Sequence, residues 1–342
     1  MQKMSVHGVY HIIYVEAELY YTLLFYNFHY LNYNIYIICG VYAMTDNKTG
    51  RLPAGIHTAV VTPFLHGGID IPALRRLLEI QLDSGVAGVV ALGTTGEAPT
   101  VTQSEKDVII KECAKLLSGK KALTVGCGSN DTQTACEKVK RAASLGADFA
   151  LVVAPYYNRP SQRGILRHFI TVADSSPIPV VVYNVPSRTG VDISAETLAV
   201  LSSHDNVVAC KEASGDMQSV TDKIKEAPGL DFFCGSDTLL YHFLTLGAKG
   251  GISVCSNIEP DKTCAITDKY FAGDAEGAKD TFFCMYPFLK ALSCDVNPVP
   301  IKALMASCGL ISASVRPPLC EMTEQKRSKL IYSASDAGIY IK

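Results

Sequence analysis

The sequence predicts an α/β protein, a (β/α)8 TIM barrel followed by a C-terminal helical appendage. Three observations predict it. From Gly55 onward, eight short β-branched apolar runs alternate with longer stretches of helical periodicity. The runs are continuous rather than alternating, as parallel strands buried on both faces require. The first run is followed by Pro63-Phe64 and Gly67-Gly68, with no G-x-G-x-x-G, so the main sign of an open doubly wound sheet is missing.

The expected strands are Ile56–Thr62, Gly88–Leu92, Ala122–Gly126, Phe149–Val153, Val180–Asn184, Val207–Lys211, Asp231–Cys234 and Gly251–Val254. Helix starts are legible between them. Asp70-Ile71-Pro72 sets an N-cap residue ahead of a first-turn proline. Thr102-Gln103-Ser104-Glu105 reads as a capping box, and Ser129-Asn130-Asp131 as the cap of a helix that ends near Leu145-Gly146. The pairs Gly85-Val86, Gly146-Ala147 and Gly247-Ala248 stand where helices must stop and turn into strands. After Val254 only helical patterns remain, at Asp261–Phe271, Ala275–Leu292 and Pro298–Ser307.

Residues 1–43 do not match this pattern. They hold nine of the seventeen tyrosines, no arginine and one lysine, Lys3. Leu19 to Tyr42 is apolar, but Asn27, His29, Asn32 and Asn34 interrupt it, and no basic cluster flanks it as a membrane span would require. A signal peptide would need a basic start and a small-residue cleavage site, and a transit peptide would need arginines. The expectation is an over-extended start, with the working protein opening at Met44. The domain division expected is therefore 1–43 as an atypical extension, 44–260 as the barrel and 261–342 as the helical region.

Composition narrows the class of function. The chain is 48% hydrophobic and 19% charged, with a formal net charge of −2, which predicts a soluble globular protein. So balanced a charge gives no electrostatic reason to bind nucleic acid or an anionic membrane. The twelve cysteines are scattered, form no CxxC pair, and often sit inside apolar runs such as Val207-Val208-Ala209-Cys210. They read as reduced core thiols of a cytoplasmic protein.

In such a barrel the chemistry gathers at the C-terminal ends of the strands. That rule selects Gly93-Thr94-Thr95-Gly96-Glu97, Pro155 to Pro160, Tyr183 to Gly190, Lys211-Glu212, Gly235-Ser236-Asp237 and Ile252-Ser253. Lys211 is the informative member. It ends an apolar run, and a dry mouth favours the neutral amine that imine formation with a carbonyl needs. On position alone, an ion pair at the barrel rim explains it equally well. Gly93 to Gly96 offers backbone N–H groups and two hydroxyls that suit a small carboxylate, or a plain turn. Tyr183 can move a proton or simply pack, and Arg188 can clamp a carboxylate or brace its own turn. No metal-ligand spacing, P-loop or nucleophile elbow is present in the sequence, which favours chemistry without metal or cofactor.

Taken together, these segments resemble the dihydrodipicolinate synthase family, within the pyruvate-dependent class I lyases that include N-acetylneuraminate lyase. The motifs are GTTGE at 93–97, PYYNRP at 155–160, YNVPSRTG at 183–190, CKEASGD at 210–216, GSD at 235–237, GGISV at 250–254 and NPVPIK at 297–302. The resemblance runs from about Gly55 to about Leu330. It implies that Lys211 condenses with pyruvate and that Tyr183 carries protons. It implies that Thr95, with Tyr157 of an adjacent subunit, completes the relay. Thr94 and Thr95, helped by Ile252, would hold the pyruvate carboxylate, and Arg188 the carboxylate of aspartate semialdehyde. The implied product is hydroxy-tetrahydrodipicolinate, made by a homotetramer of tight dimers.

The threonine pair of GTTGE and the arginine of VPSRTG favour that synthase over sialic acid lyases. Keto-deoxy sugar acid aldolases, some of which share GTTGE, and a non-catalytic keto-acid-binding barrel remain as alternatives. One departure matters. Family members under strong lysine control carry histidines shortly after GTTGE and a glutamate four residues after the asparagine matching Asn130. This chain has Gln103, Lys106 and Thr134 there, while Asn130 and Tyr156 remain. The expectation is weak or absent lysine feedback.

Overall fold

The computed structural model describes residues 50–339. The expectations for residues 1–43 lie outside the described residues. Eight parallel strands close into a barrel: β1 (Gly55–Ala59), β4 (Gly88–Ala91), β5 (Ala122–Gly126), β6 (Phe149–Val153), β7 (Val180–Asn184), β8 (Val207–Glu212), β9 (Asp231–Cys234) and β10 (Gly250–Ser253). Each strand pairs with the next in chain order, and β10 and β4 both pair with β1 to complete the ring. All eight expected runs are strands, with ends moved by no more than a few residues.

The continuous apolar runs supply two cores at once. Side chains of one parity, including Val90, Leu151, Val181, Tyr183, Phe233 and Ile252, fill the barrel interior. Those of the other parity, with Val89, Val152, Val182 and Cys210 among them, pack outward against the helices. Burial on both faces is why the sequence shows no alternation.

The anticipated helix signals act as anticipated. Asp70 accepts from the Ala73 N–H at the start of Ile71–Asp83. Thr102 and Glu105 form a reciprocal capping box on Gln103–Leu117, and Asp131 accepts from the Thr134 N–H on Thr132–Ser144. Gly146 and Gly247 take the left-handed conformation (φ 98° and 93°) that stops a helix. Gly85 does not, because its helix already ends at Asp83 and Ser84 is extended there.

Three elements differ from the expectations. Phe64–Leu65 (β2) and Gly68–Ile69 (β3) pair as a small antiparallel hairpin, turned by His66 and Gly67 at φ 50° and 80°. Pro260–Phe271 follows β10 and packs against β1, completing the eighth strand–helix unit. Beyond Ala275–Ala291 and Val299–Ser307 lies a further helix, Glu324–Asp336, whose polar sequence buries only Leu330 and Ala334. Among the described residues no helix is long and apolar enough to cross a membrane.

Two histidines are sealed in this frame. His57 on β1 is fully buried, with Nε2 2.8 Å from the Pro53 carbonyl and its ring edge-on to Phe233. His168 is buried beside Thr132. Burial lowers each from about 6.5 to about 4, only partly opposed at His57 by its backbone hydrogen bond and at His168 by Asp131. Unfolding returns each imidazole to its ordinary value, so between pH 6.5 and 4 the unfolded chain binds more protons. Stability should therefore fall through that window on acidification, each histidine contributing on the order of 3 kcal/mol. Urea unfolding followed across the window should show a steadily falling midpoint, with a shallower slope in His57→Gln. A flat profile would contradict this.

Candidate active site

The strand period of two sets the site. On β8, Lys211 turns into the barrel mouth, while Glu212 is carried to the outer side and completely buried. There Glu212 accepts from Asn184 Nδ2 (2.8 Å), Lys223 Nζ (3.2 Å) and the Ser214 N–H (2.6 Å). Asn184 and Lys223 also both donate to Asp192. Burial works against the Lys223 ammonium, but Glu212 and Asp192 more than compensate and raise it above the ordinary lysine range. This knot fixes the ends of β7 and β8 side by side.

Their register pairs Tyr183 with Lys211, and the Lys211 ammonium lies 4.5 Å from the Tyr183 ring centroid. Both side chains are buried, at 7% and 6% exposure. Gly235 makes room for Lys211. A Cβ there would meet Ala213 Cβ at 2.7 Å and Lys211 Cε at 3.2 Å, which explains the glycine of GSD. Asp237, two residues on, accepts from the Val254 and Cys255 N–H groups and fixes the end of β10. Burial raises its carboxyl, while Ser253, those backbone donors and the Lys211 charge pull it down. Ile252 on β10 belongs to the same interior cluster as Tyr183.

The GTTGE loop reaches the mouth from β4 and is held from below. Glu97, left-handed at φ 51° and buried, accepts from Lys302 Nζ (2.6 Å) and the Arg316 N–H (2.9 Å). Lys302 is itself fully buried, also donates to the Thr62 carbonyl, and stands 4.3 Å from the Phe64 ring centroid. Burial takes it below the ordinary lysine range against the pull of Glu97. Arg316 stacks on the same ring and grips Glu105 with both terminal nitrogens. Two C-terminal segments thus anchor the loop that carries Thr94 and Thr95.

Asn297 links the loop to Arg188. Its Nδ2 donates to Thr95 Oγ1 (3.0 Å), and its carbonyl accepts from Arg188 Nη2 (3.4 Å). Thr94, Tyr183, Arg188 and Asn297 line one cavity of about 540 Å³. Tyr157 is not drawn in. Its backbone is left-handed (φ 73°) and the residue is 89% exposed, while Asn158 and Arg159, the next two residues, tie the loop to the Asn130 and Gly190 carbonyls. Within one chain Lys211 meets Tyr183, Tyr183 shares the cavity with Thr94 and Arg188, and Asn297 ties Thr95 to Arg188, while Ile252 shares only the interior cluster with Tyr183 and Tyr157 stands apart. Asn297, Lys302 and Lys223 carry much of the geometry but escape the strand-end rule, and Glu97, which the rule selects, receives its anchoring role only from the structure. The NPVPIK motif was the only signal for two of them. Among the described residues no group of His, Cys, Asp and Glu is placed to hold a metal ion.

A model of the dihydrodipicolinate synthetase family matches residues 52–337. The chain is similar to 4-hydroxy-tetrahydrodipicolinate synthase of Syntrophus aciditrophicus, with 44% identity over 277 residues, 81% of this chain and 95% of that one. Among solved structures it is similar to dihydrodipicolinate synthase of Thermotoga maritima, with a TM-score of 0.83, 34% identity, and 85% of this chain and 100% of that one covered. It is also similar to the lysine-bound dihydrodipicolinate synthase of Cyanidioschyzon merolae, with a TM-score of 0.82, 32% identity, and coverage of 85% and 100%.

Removing one member of the buried Glu97–Lys302 pair strands the other. Glu97→Ala should lower unfolding stability by about 3–5 kcal/mol, and Glu97→Gln with Lys302→Met by clearly less. Denaturant unfolding of the two variants checks this; equal losses would contradict it.

Proposed function

This chain belongs to the dihydrodipicolinate synthetase family, and on that premise we propose that Lys211 condenses with pyruvate and presents it, as an enamine, to L-aspartate 4-semialdehyde. The enzyme is a lyase of the class I aldolase type. Its product is 4-hydroxy-tetrahydrodipicolinate, in the diaminopimelate route to lysine. The single observation that carries the assignment of Lys211 is the buried ammonium 4.5 Å from the Tyr183 ring at the end of β8.

The steps follow from ordinary imine chemistry. The Lys211 amine adds to the keto carbon, and loss of water forms the imine, with Tyr183 passing protons at the carbonyl oxygen. The imine nitrogen then draws electrons from the methyl C–H bond. The enamine so formed attacks the aldehyde carbon. Transimination by the acceptor's own amine closes the ring and releases Lys211. Thr94 and Thr95 would hold the pyruvate carboxylate, with Ile252 forming the apolar wall. Arg188 would take the acceptor carboxylate, and its bond to the Asn297 carbonyl supports a fixed orientation.

Tyr157 would complete the Thr95 relay only in an assembly. A phenol 89% exposed touches almost nothing in its own chain, which supports a homotetramer built from dimers that exchange this residue. We place the enzyme in the cytoplasm, a reading supported by the core thiols Cys113, Cys127, Cys136, Cys210, Cys234, Cys255 and Cys264, each buried as a small hydrophobe. Lysine feedback is weak or absent, because Lys106 and Thr134 offer a diamino ligand repulsion and no carboxylate.

A coupled assay tests the reaction. Pyruvate with aspartate semialdehyde should turn over, and pyruvate with sugar-acid aldehydes should be at least tenfold poorer in kcat/KM. Arg188→Ala should cost about 2–4 kcal/mol of acceptor binding, seen as a raised KM for the semialdehyde with little change for pyruvate. Preference for a sugar-acid aldehyde would overturn the assignment of the acceptor.

A further inference from the structure

The loop Gly93 to Glu97 is pinned on both sides of Thr95. The Gly96 N–H donates to the Gly93 carbonyl at 3.1 Å, and the Glu97 N–H to the Thr94 carbonyl at 3.1 Å. Thr62 Oγ1 donates to the Gly96 carbonyl at 2.7 Å. These bonds fix where the buried Thr95 stands, but not where its hydroxyl proton points. A hydroxyl has one proton and two lone pairs, and it turns about its C–O bond to suit its neighbours.

The Asn297 amide constrains that direction. Its Nδ2 donates to Thr95 Oγ1 at 3.0 Å and so occupies one lone pair. Among the described residues this is the only hydrogen bond of the Thr95 hydroxyl, so the proton is turned away from Asn297 and left unspent. The dependence is mutual. Asn297 Oδ1 is buried without a partner, and among the described residues the amide's one hydrogen bond is the one to Thr95. Arg188 touches only the backbone carbonyl of Asn297 and makes no use of the amide.

We propose that Asn297 is a positioning residue, whose amide makes the Thr95 hydroxyl an acceptor on one side so that Thr95 meets the keto acid as a proton donor. A hydroxyl that faces a carboxylate has to donate, and a relay needs a proton free to move. Were the Thr95 proton spent on Asn297, only lone pairs would confront the anion. This role rests on the reading that Lys211 condenses with pyruvate. Because Arg188 is held by the backbone, side-chain substitution at Asn297 separates the two contacts.

A double-variant cycle tests it, read as the rate of borohydride trapping at sub-saturating pyruvate and followed by the mass of the full chain. Asn297→Ala should slow trapping about tenfold, yet by less than about twofold when made in Thr95→Val, where no hydroxyl is left to direct. Made in Arg188→Ala, the same change should still cost about tenfold. Asn297→Asp keeps the shape of the amide but, when ionised, offers only acceptors and draws the Thr95 proton to itself. It should therefore trap more slowly than Asn297→Ala; a side chain that merely filled space would give the opposite order. An equal loss in the Thr95→Val background would overturn the proposal. So would a loss confined to chains that retain Arg188, or Asn297→Asp trapping as fast as the unsubstituted chain. An unsubstituted chain that forms no adduct at Lys211 would instead remove the premise, and this role with it.

Discussion

Neighbouring side chains on a strand point to opposite faces, and on β8 this constraint puts two charged residues to different uses. Lys211 enters the mouth beside Tyr183, while Glu212 is sent outward and buried. A carboxylate buried without partners would be costly, so Asn184, Lys223 and the Ser214 N–H gather around it. The same contacts lock β8 to β7 and to the helix Met217–Glu226. The outward knot is what keeps the inward amine at a fixed height over the phenol.

A second buried pair does similar work on the far side of the mouth. Glu97 and Lys302 are separated by 205 positions in the chain, yet together they secure the loop that presents Thr94 and Thr95. Asn297, just ahead of the helix that carries Lys302, then joins Thr95 to Arg188. The helices after the barrel are therefore part of the site's frame. Their removal would release the GTTGE loop without touching a strand.

The barrel was legible because eight apolar runs and three N-caps each express local physics within a few residues. Lys211, Tyr183 and Arg188 were legible because the barrel rule points to strand ends. The supporting pairs were not, since nothing in local spacing says that Glu97 meets Lys302 or that Glu212 meets Lys223. The helix Glu324–Asp336 was missed for a related reason: it buries two small patches and shows no broad apolar stripe. The hairpin at Phe64–Ile69 is only four paired residues long, and its strand period had no room to show. Tyr157 marks a limit of a different kind. Its role was read from resemblance to relatives, and its own chain leaves the ring in the open.

The chemistry proposed for this barrel requires that the Lys211 amine, and no other, bonds to the keto acid. Borohydride reduction in the presence of pyruvate, followed by peptide mapping, tests it directly. One stable adduct per chain is expected, on the peptide that contains Lys211, and none in Lys211→Arg. An adduct on Lys106, Lys138 or any other lysine, or no adduct at all, would contradict it.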